Sequence, residues 1–121
     1  MLPLALAVLL LAGAPAEAKR FRAYVSCGIG DSTYRPPASH SCPVGDLPQA
    51  VMINRKRTSV RYRLCVRVPS GATYCGTRRA KGGGRLNQRA LYNESLGQHV
   101  ISWYVGGRLI GRWALERTIG D

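Results

Sequence analysis

Few side chains in this 121-residue sequence are suited to moving a proton near neutral pH. It holds two histidines, His40 and His99, and six acids, of which Glu94 lies closest in sequence to a histidine. A pair of histidines, or histidine with glutamate, would make a general acid and base. His99, however, occurs in HVISW with the strand parity of Ile101 and Trp103. A packed, hydrogen-bonded imidazole is the expectation there. His40 follows a Pro-rich stretch and stands beside Cys42. No carboxylate pair suits glycoside cleavage, no nucleophile motif occurs, and two histidines among scattered acids make no metal site. The expectation is a non-enzymatic chain with no catalytic residue, cofactor or metal.

The chemistry the sequence does offer is anion recognition. Lys and Arg number 18 against 6 Asp and Glu, and most of the basic residues are arginine. Guanidinium groups make bidentate contacts with phosphate, sulfate or carboxylate; an Arg-, Ala- and Gly-rich genome would give the same bias without any such role. In RYRLCVRVPSGATYCG, Arg61 to Gly76, the arginines alternate with apolar residues. Arg61, Arg63 and Arg67 should line one strand face, joined by Arg79 from the returning strand. Together these four are the candidate anion-binding residues. Arg79 should lie opposite Arg61, a like-charge pair that a bound anion would relieve. The alternative is a solvated face with splayed side chains. Specific nucleic-acid binding is not expected, because stacking aromatics are wanted on such a surface and Tyr62 and Tyr74 share parity with the apolar side.

Positioning these residues requires strands. Val60, Tyr62, Leu64, Val66 and Val68 alternate with the arginines, the pattern of a half-buried strand. Pro69-Ser70-Gly71 then makes a three-residue turn with Gly71 left-handed. Counting outward pairs Val68 with Ala72, Val66 with Tyr74 and Cys65 with Cys75. Opposed residues lie within disulfide range, so Cys65–Cys75 is expected on the arginine face, outside the core. Cys27–Cys42 is the remaining pair of the preferred connectivity, one of three that four cysteines allow.

A second hairpin, HVISWYVGGRLIGRWALER, places His99, Ile101, Trp103 and Val105 on one face and Leu109, Gly111, Trp113 and Leu115 on its partner. Both faces meet one core only through a three-residue connection, or two residues with a bulge, which sets Gly111 opposite Trp103. This hairpin is expected to pack against the first. Weaker strand candidates are Phe21–Val25, Ala50–Asn54 and Gln88–Asn93. The segment between Cys27 and Cys42 contains Pro36-Pro37 and reads as a loop, and Ala80 to Arg85 as a flexible connection. The expected fold is all-β, an antiparallel β-sandwich of immunoglobulin-like type with two local disulfides.

Residues 1–18, MLPLALAVLLLAGAPAEA, have the short apolar run and small-residue A-x-A end of a secretory leader, although no Lys or Arg precedes the run. An uncleaved anchor is the rival reading. Glu17 is the one charged side chain in this stretch, so its removal raises the net charge from +12 to +13. The remainder, 19–121, is sized for a single domain, and an even cysteine count fits an oxidising compartment. A monomer, secreted to the extracellular space or cell envelope, is expected.

Over Tyr62 to Arg117 the chain resembles small bacterial secreted domains of the immunoglobulin-like or fibronectin type III-like kind. Gly97, His99, Ile101 and Trp103, with the returning strand of Trp113, carry the likeness. It departs from antibody domains, whose cysteines flank a tryptophan and bridge the sheets. The resemblance implies architecture rather than a particular ligand.

The expected function is a secreted, disulfide-stabilised binding or cell-envelope accessory module, with an anionic glycopolymer or other polyanion as partner. Alternatives are a cationic membrane-active protein, a small ribonuclease, which such chains resemble in size and charge, and a protease inhibitor, some of which have a similar first cysteine loop. Asn93-Glu94-Ser95 satisfies the N-glycosylation triplet, informative only in a eukaryotic secretory pathway.

Overall fold

A computed structural model describes residues 20–120; the expected leader, residues 1–18, lies outside them. Eight strands follow in order: β1 (Phe21–Ser26), β2 (Ser41–Pro43), β3 (Gln49–Asn54), β4 (Val60–Arg67), β5 (Thr73–Ala80), β6 (Arg85–Ala90), β7 (Gly97–Val105) and β8 (Arg108–Thr118). They form a three-stranded sheet, β1-β3-β6, and a five-stranded sheet, β2-β8-β7-β4-β5. The all-β antiparallel sandwich is as expected, with one parallel pairing, β2 on β8.

The first hairpin has the register counted from its turn. Val66 pairs with Tyr74, Cys65 with Cys75 and Arg61 with Arg79. Val68 and Ala72 close the loop through Val68 N–H to Ala72 O at 2.9 Å, and Gly71 has φ 95°. The second hairpin takes the bulged solution. Gly106 and Gly107 have φ of 57° and 78°, the paired left-handed geometry of a two-residue turn. Trp103 pairs with Gly111 but Tyr104 with Leu109, leaving Ile110 as the extra residue. A Cβ on Gly111 would stand 2.7 Å from Ala23 Cβ and 3.5 Å from the Trp103 ring. Glycine there admits both the indole and the opposing sheet.

One expectation is overturned. The second hairpin does not pack face to face against the first; β7 pairs edge to edge with β4, Cys65 opposite Ser102 and Leu64 opposite Trp103. Two hairpins sharing a ladder turn their apolar faces the same way. That joint face packs on β1 and β3: Leu64, Ile101, Trp103 and Leu115 cluster with Phe21, Val25, Ala50 and Met52.

The strands assigned on weaker grounds exist with shifted ends. β3 is buried at all six positions, because its second face is covered too. The chain between Cys27 and Cys42 wraps that outer side. Tyr24 Oη donates to Pro36 O at 2.8 Å, and Gln88 exchanges hydrogen bonds with Gly30 through Oε1 at 3.0 Å and Nε2 at 2.7 Å. Tyr24, Val51 and Ile53 form a second apolar cluster against Leu86 and Trp113. Both disulfides form as paired in the expected connectivity. Cys65–Cys75 staples a hairpin, whereas Cys27–Cys42 links the end of β1 to β2 and so ties one sheet to the other.

Candidate anion-binding face

The outward face of the five-stranded sheet is set by the parity of β4. Arg61, Arg63 and Arg67 are exposed, while Tyr62 and Leu64 turn into the core. Arg79 is exposed directly across from Arg61 and donates from Nη1 to Ser59 Oγ at 3.4 Å. The four expected residues therefore share one surface. The β4–β7 ladder adds what the first hairpin alone does not reveal. Ser102 pairs with both Cys65 and Arg112, and Tyr104 lies opposite Arg63. Arg112 thus joins the same face from β8. A shallow depression runs between Arg67, Thr73, Tyr104 and Arg112 with Cys65 at its base. The signal for Arg112 was its alternation with Gly111 and Trp113, which becomes informative only once the two hairpins are known to share a sheet.

Cys65 is nearly covered whereas Cys75 is exposed, so the bridge lies flush with this face and outside the core. A disulfide-pinned sheet face bearing five arginine side chains suits an extended anionic chain. Each guanidinium offers a planar fork of donors, and the ladder spaces alternate residues about 6.5–7 Å apart along a strand. Tyr74, although opposite Val66, is 63% exposed. It shares the inward strand parity of Val66, lines a cavity with Val66 and Val68, and contributes nothing to the arginine side.

The histidines have structural partners. His99 is buried, its Nε2 2.9 Å from Asn93 Oδ1 and its Nδ1 3.2 Å from Gly97 O. Asn93 Oδ1 also accepts from Ser95 N–H at 3.0 Å, so the triplet residue Asn93 belongs to this small network, while Glu94 is exposed. Burial holds the His99 imidazole below its usual range, and the nearby Arg117 charge adds to this. His40 is exposed, stacked on Trp113 with ring centroids 4.0 Å apart, and its Nδ1 lies 2.9 Å from Ala114 O. Cys27, Cys42 and Asp46 gather possible ligand atoms within 4.8 Å, but both sulfurs are in a disulfide, which leaves no thiolate to bind a metal.

Arg117 escaped the sequence reading. Strand parity places it on the inner face after Trp113 and Leu115, and it is 2% exposed. Nη1 donates to Cys42 O at 3.3 Å and Pro43 O at 3.1 Å, and Nη2 to Asp46 O at 3.1 Å. Its Nε has no acceptor among the described residues.

No family model matches the chain, and no curated protein matches it. Among solved structures, it is similar to the Pseudomonas fluorescens alkylpurine DNA glycosylase AlkC bound to DNA containing an abasic site analog. The similarity has a TM-score of 0.48 and 10% identity over 82% of this chain. This chain spans 30% of the length of that one.

Proposed function

We propose that the chain is a secreted, non-enzymatic binding or cell-envelope module that holds anionic polymers, an acidic glycopolymer being the fitting class, against the outer face of its five-stranded sheet. The observation that supports this most is the convergence of Arg61, Arg63, Arg67, Arg79 and Arg112 on one exposed surface, two of them directly opposed. Like charges so placed repel unless an anion lies between them, and each phosphate or sulfate neutralised releases counterions, as on a nucleic acid. Two disulfides fit an oxidising compartment. Among the described residues no helix is long and apolar enough to cross a membrane. The strand order, with the last strand between β7 and β2, accords with the immunoglobulin-like resemblance.

Heparin, as a sulfated polysaccharide, is the practical probe. The combined Arg61→Ser, Arg63→Ser, Arg67→Ser and Arg79→Ser variant should elute from a heparin column at clearly lower salt than the unaltered chain. Elution at the same salt from a folded variant would remove this face as the binding surface.

A further inference from the structure

The two long edges of the sandwich are closed differently. At one edge, where β1 and β2 end their sheets, the Cys27–Cys42 bridge and the wrapping segment, held by Trp113, close the sandwich. At the other, β5 and β6 each end their own sheet, and a cavity of about 270 Å³ opens between them. Its origin is visible in the ladder. Gly76 occupies the inward position opposite Leu64, where a sandwich would ordinarily place an apolar side chain. A Cβ there would meet nothing within 4 Å, and Gly76 is not among the glycines with positive φ. Neither the backbone nor a neighbouring atom requires glycine at this exposed position, and the missing side chain leaves the space beside Leu64 open. A glycine within a strand weakens it and marks a bulge, a tight bend, or close approach by a ligand or another backbone; the β4–β5 register runs through Gly76 without a bulge.

The walls are mainly apolar, with His99 and Asn93 also lining them, and the electrostatics are one-sided. Leu64, Val66 and Val68 line one side, with Pro48 and Leu91 contributed by the other layer. Arg78 and Arg89, both exposed and both with inward strand parity, stand at the opening. Buried Arg117, whose Nε has no acceptor among the described residues, also lines the cavity, and none of the described residues lining it is acidic. Inward-pointing charges can serve simply to keep an edge strand from pairing with another chain. That role requires neither a missing side chain behind the arginines nor a buried cation beside an apolar hole.

We propose that this cleft binds a small apolar organic acid, its hydrocarbon part between the sheets where Gly76 leaves room and its carboxylate between Arg78 and Arg89. The volume lies just below the usual range of about 300–1,000 Å³ for ligand sites, which suits a medium-length acyl chain or a fused aromatic ring. The site is separate from the arginine face, because Arg78 has the opposite strand parity to Arg79.

Calorimetric titration of the disulfide-bonded chain with decanoate, kept monomeric, and with 2-naphthoate tests this. Saturable one-to-one binding of either acid supports the proposal, and which one binds distinguishes an acyl source from an aromatic one. The Arg78→Gln, Arg89→Gln pair should weaken binding about tenfold, as expected for two partly solvated charge contacts, and 1-decanol should bind correspondingly worse than decanoate. Gly76→Leu fills the space and should abolish binding with an unchanged or raised melting temperature. If that variant fails to fold, the exposed arginine pair still decides. No saturable binding of either acid, equal binding of decanol, or unaltered binding by a folded Gly76→Leu variant would each overturn the proposal. The outer-face quadruple Ser variant should keep its decanoate affinity; its loss would place the carboxylate on the wrong surface and count equally against the cleft.

Discussion

His99 shows how burial and hydrogen bonding compete over one proton. Both ring nitrogens face oxygen acceptors, Asn93 Oδ1 and Gly97 O, an arrangement that a doubly protonated imidazolium would satisfy best. A neutral ring donates to one of the two and turns a lone pair towards the other. Against the charged form stand desolvation, the largest influence, and the Arg117 charge; the Gly97 carbonyl and Glu116 pull the other way. The balance lowers the pKa, so the unfolded chain binds the proton more readily than the folded one. Stability from this residue is therefore complete above the unfolded value of about 6.5 and is lost as pH falls through the lower folded value. Urea midpoints taken between pH 7 and 5 should decline, and His99→Gln, which keeps one donor, should flatten that decline. A wild-type midpoint that rises on acidification would mean that the two acceptors outweigh burial. The packed role of His99 was legible from its parity with Ile101 and Trp103. Its partner Asn93 was not, because that contact depends on how the chain between β6 and β7 folds back.

At the scale of elements, the two disulfides have similar chain-entropy effects and different surroundings. Their sequence separations are 15 and 10, for which loop closure alone contributes about 3 kcal/mol each, the two differing by only a few tenths. Cys65–Cys75 joins residues already opposed in the β4–β5 ladder. Cys27–Cys42 anchors the segment that covers Tyr24, Val51 and Ile53 and that places Pro36 O on the Tyr24 hydroxyl. Replacing both Cys27 and Cys42 by Ala should therefore destabilise the fold by about 1–2 kcal/mol more than replacing Cys65 and Cys75, since a loosened cover exposes apolar surface as well. Equal losses in urea unfolding would show that the cover holds without its tether. The first hairpin was readable to the residue pair, because a turn of known length fixes register; for the second the pairing of Trp103 with Gly111 was readable, but not whether a longer turn or a bulge produced it. The short strand β2 was hidden inside a Pro-rich loop, as three residues pairing parallel to a distant strand leave no periodic trace.

For the whole molecule, the arrangement of sheets was the least legible level. Alternation tells which side of a strand is apolar but not which element covers it, so two apolar hairpins looked like two walls when they are halves of one. The true opposing wall includes β3, QAVMIN, whose unbroken burial erases the alternation that would have identified it. Joining the hairpins has an electrostatic consequence, since it gathers Arg112 with Arg61, Arg63, Arg67 and Arg79 on one surface of a chain with net charge +12. Such crowding opposes the compact state by self-repulsion, most strongly at low ionic strength, where the Debye length reaches about 30 Å. Raising NaCl from about 0.01 M to about 0.15 M shortens that length to about 8 Å and should raise the melting temperature. For a domain of this size, ~1 kcal/mol of relieved repulsion corresponds to a rise of about 4–8 °C. The quadruple Ser variant should begin at a higher melting temperature in low salt and gain less from added salt. A wild-type melting temperature indifferent to salt would mean that the arginines splay far enough apart to relieve one another, leaving an anion nothing to relieve.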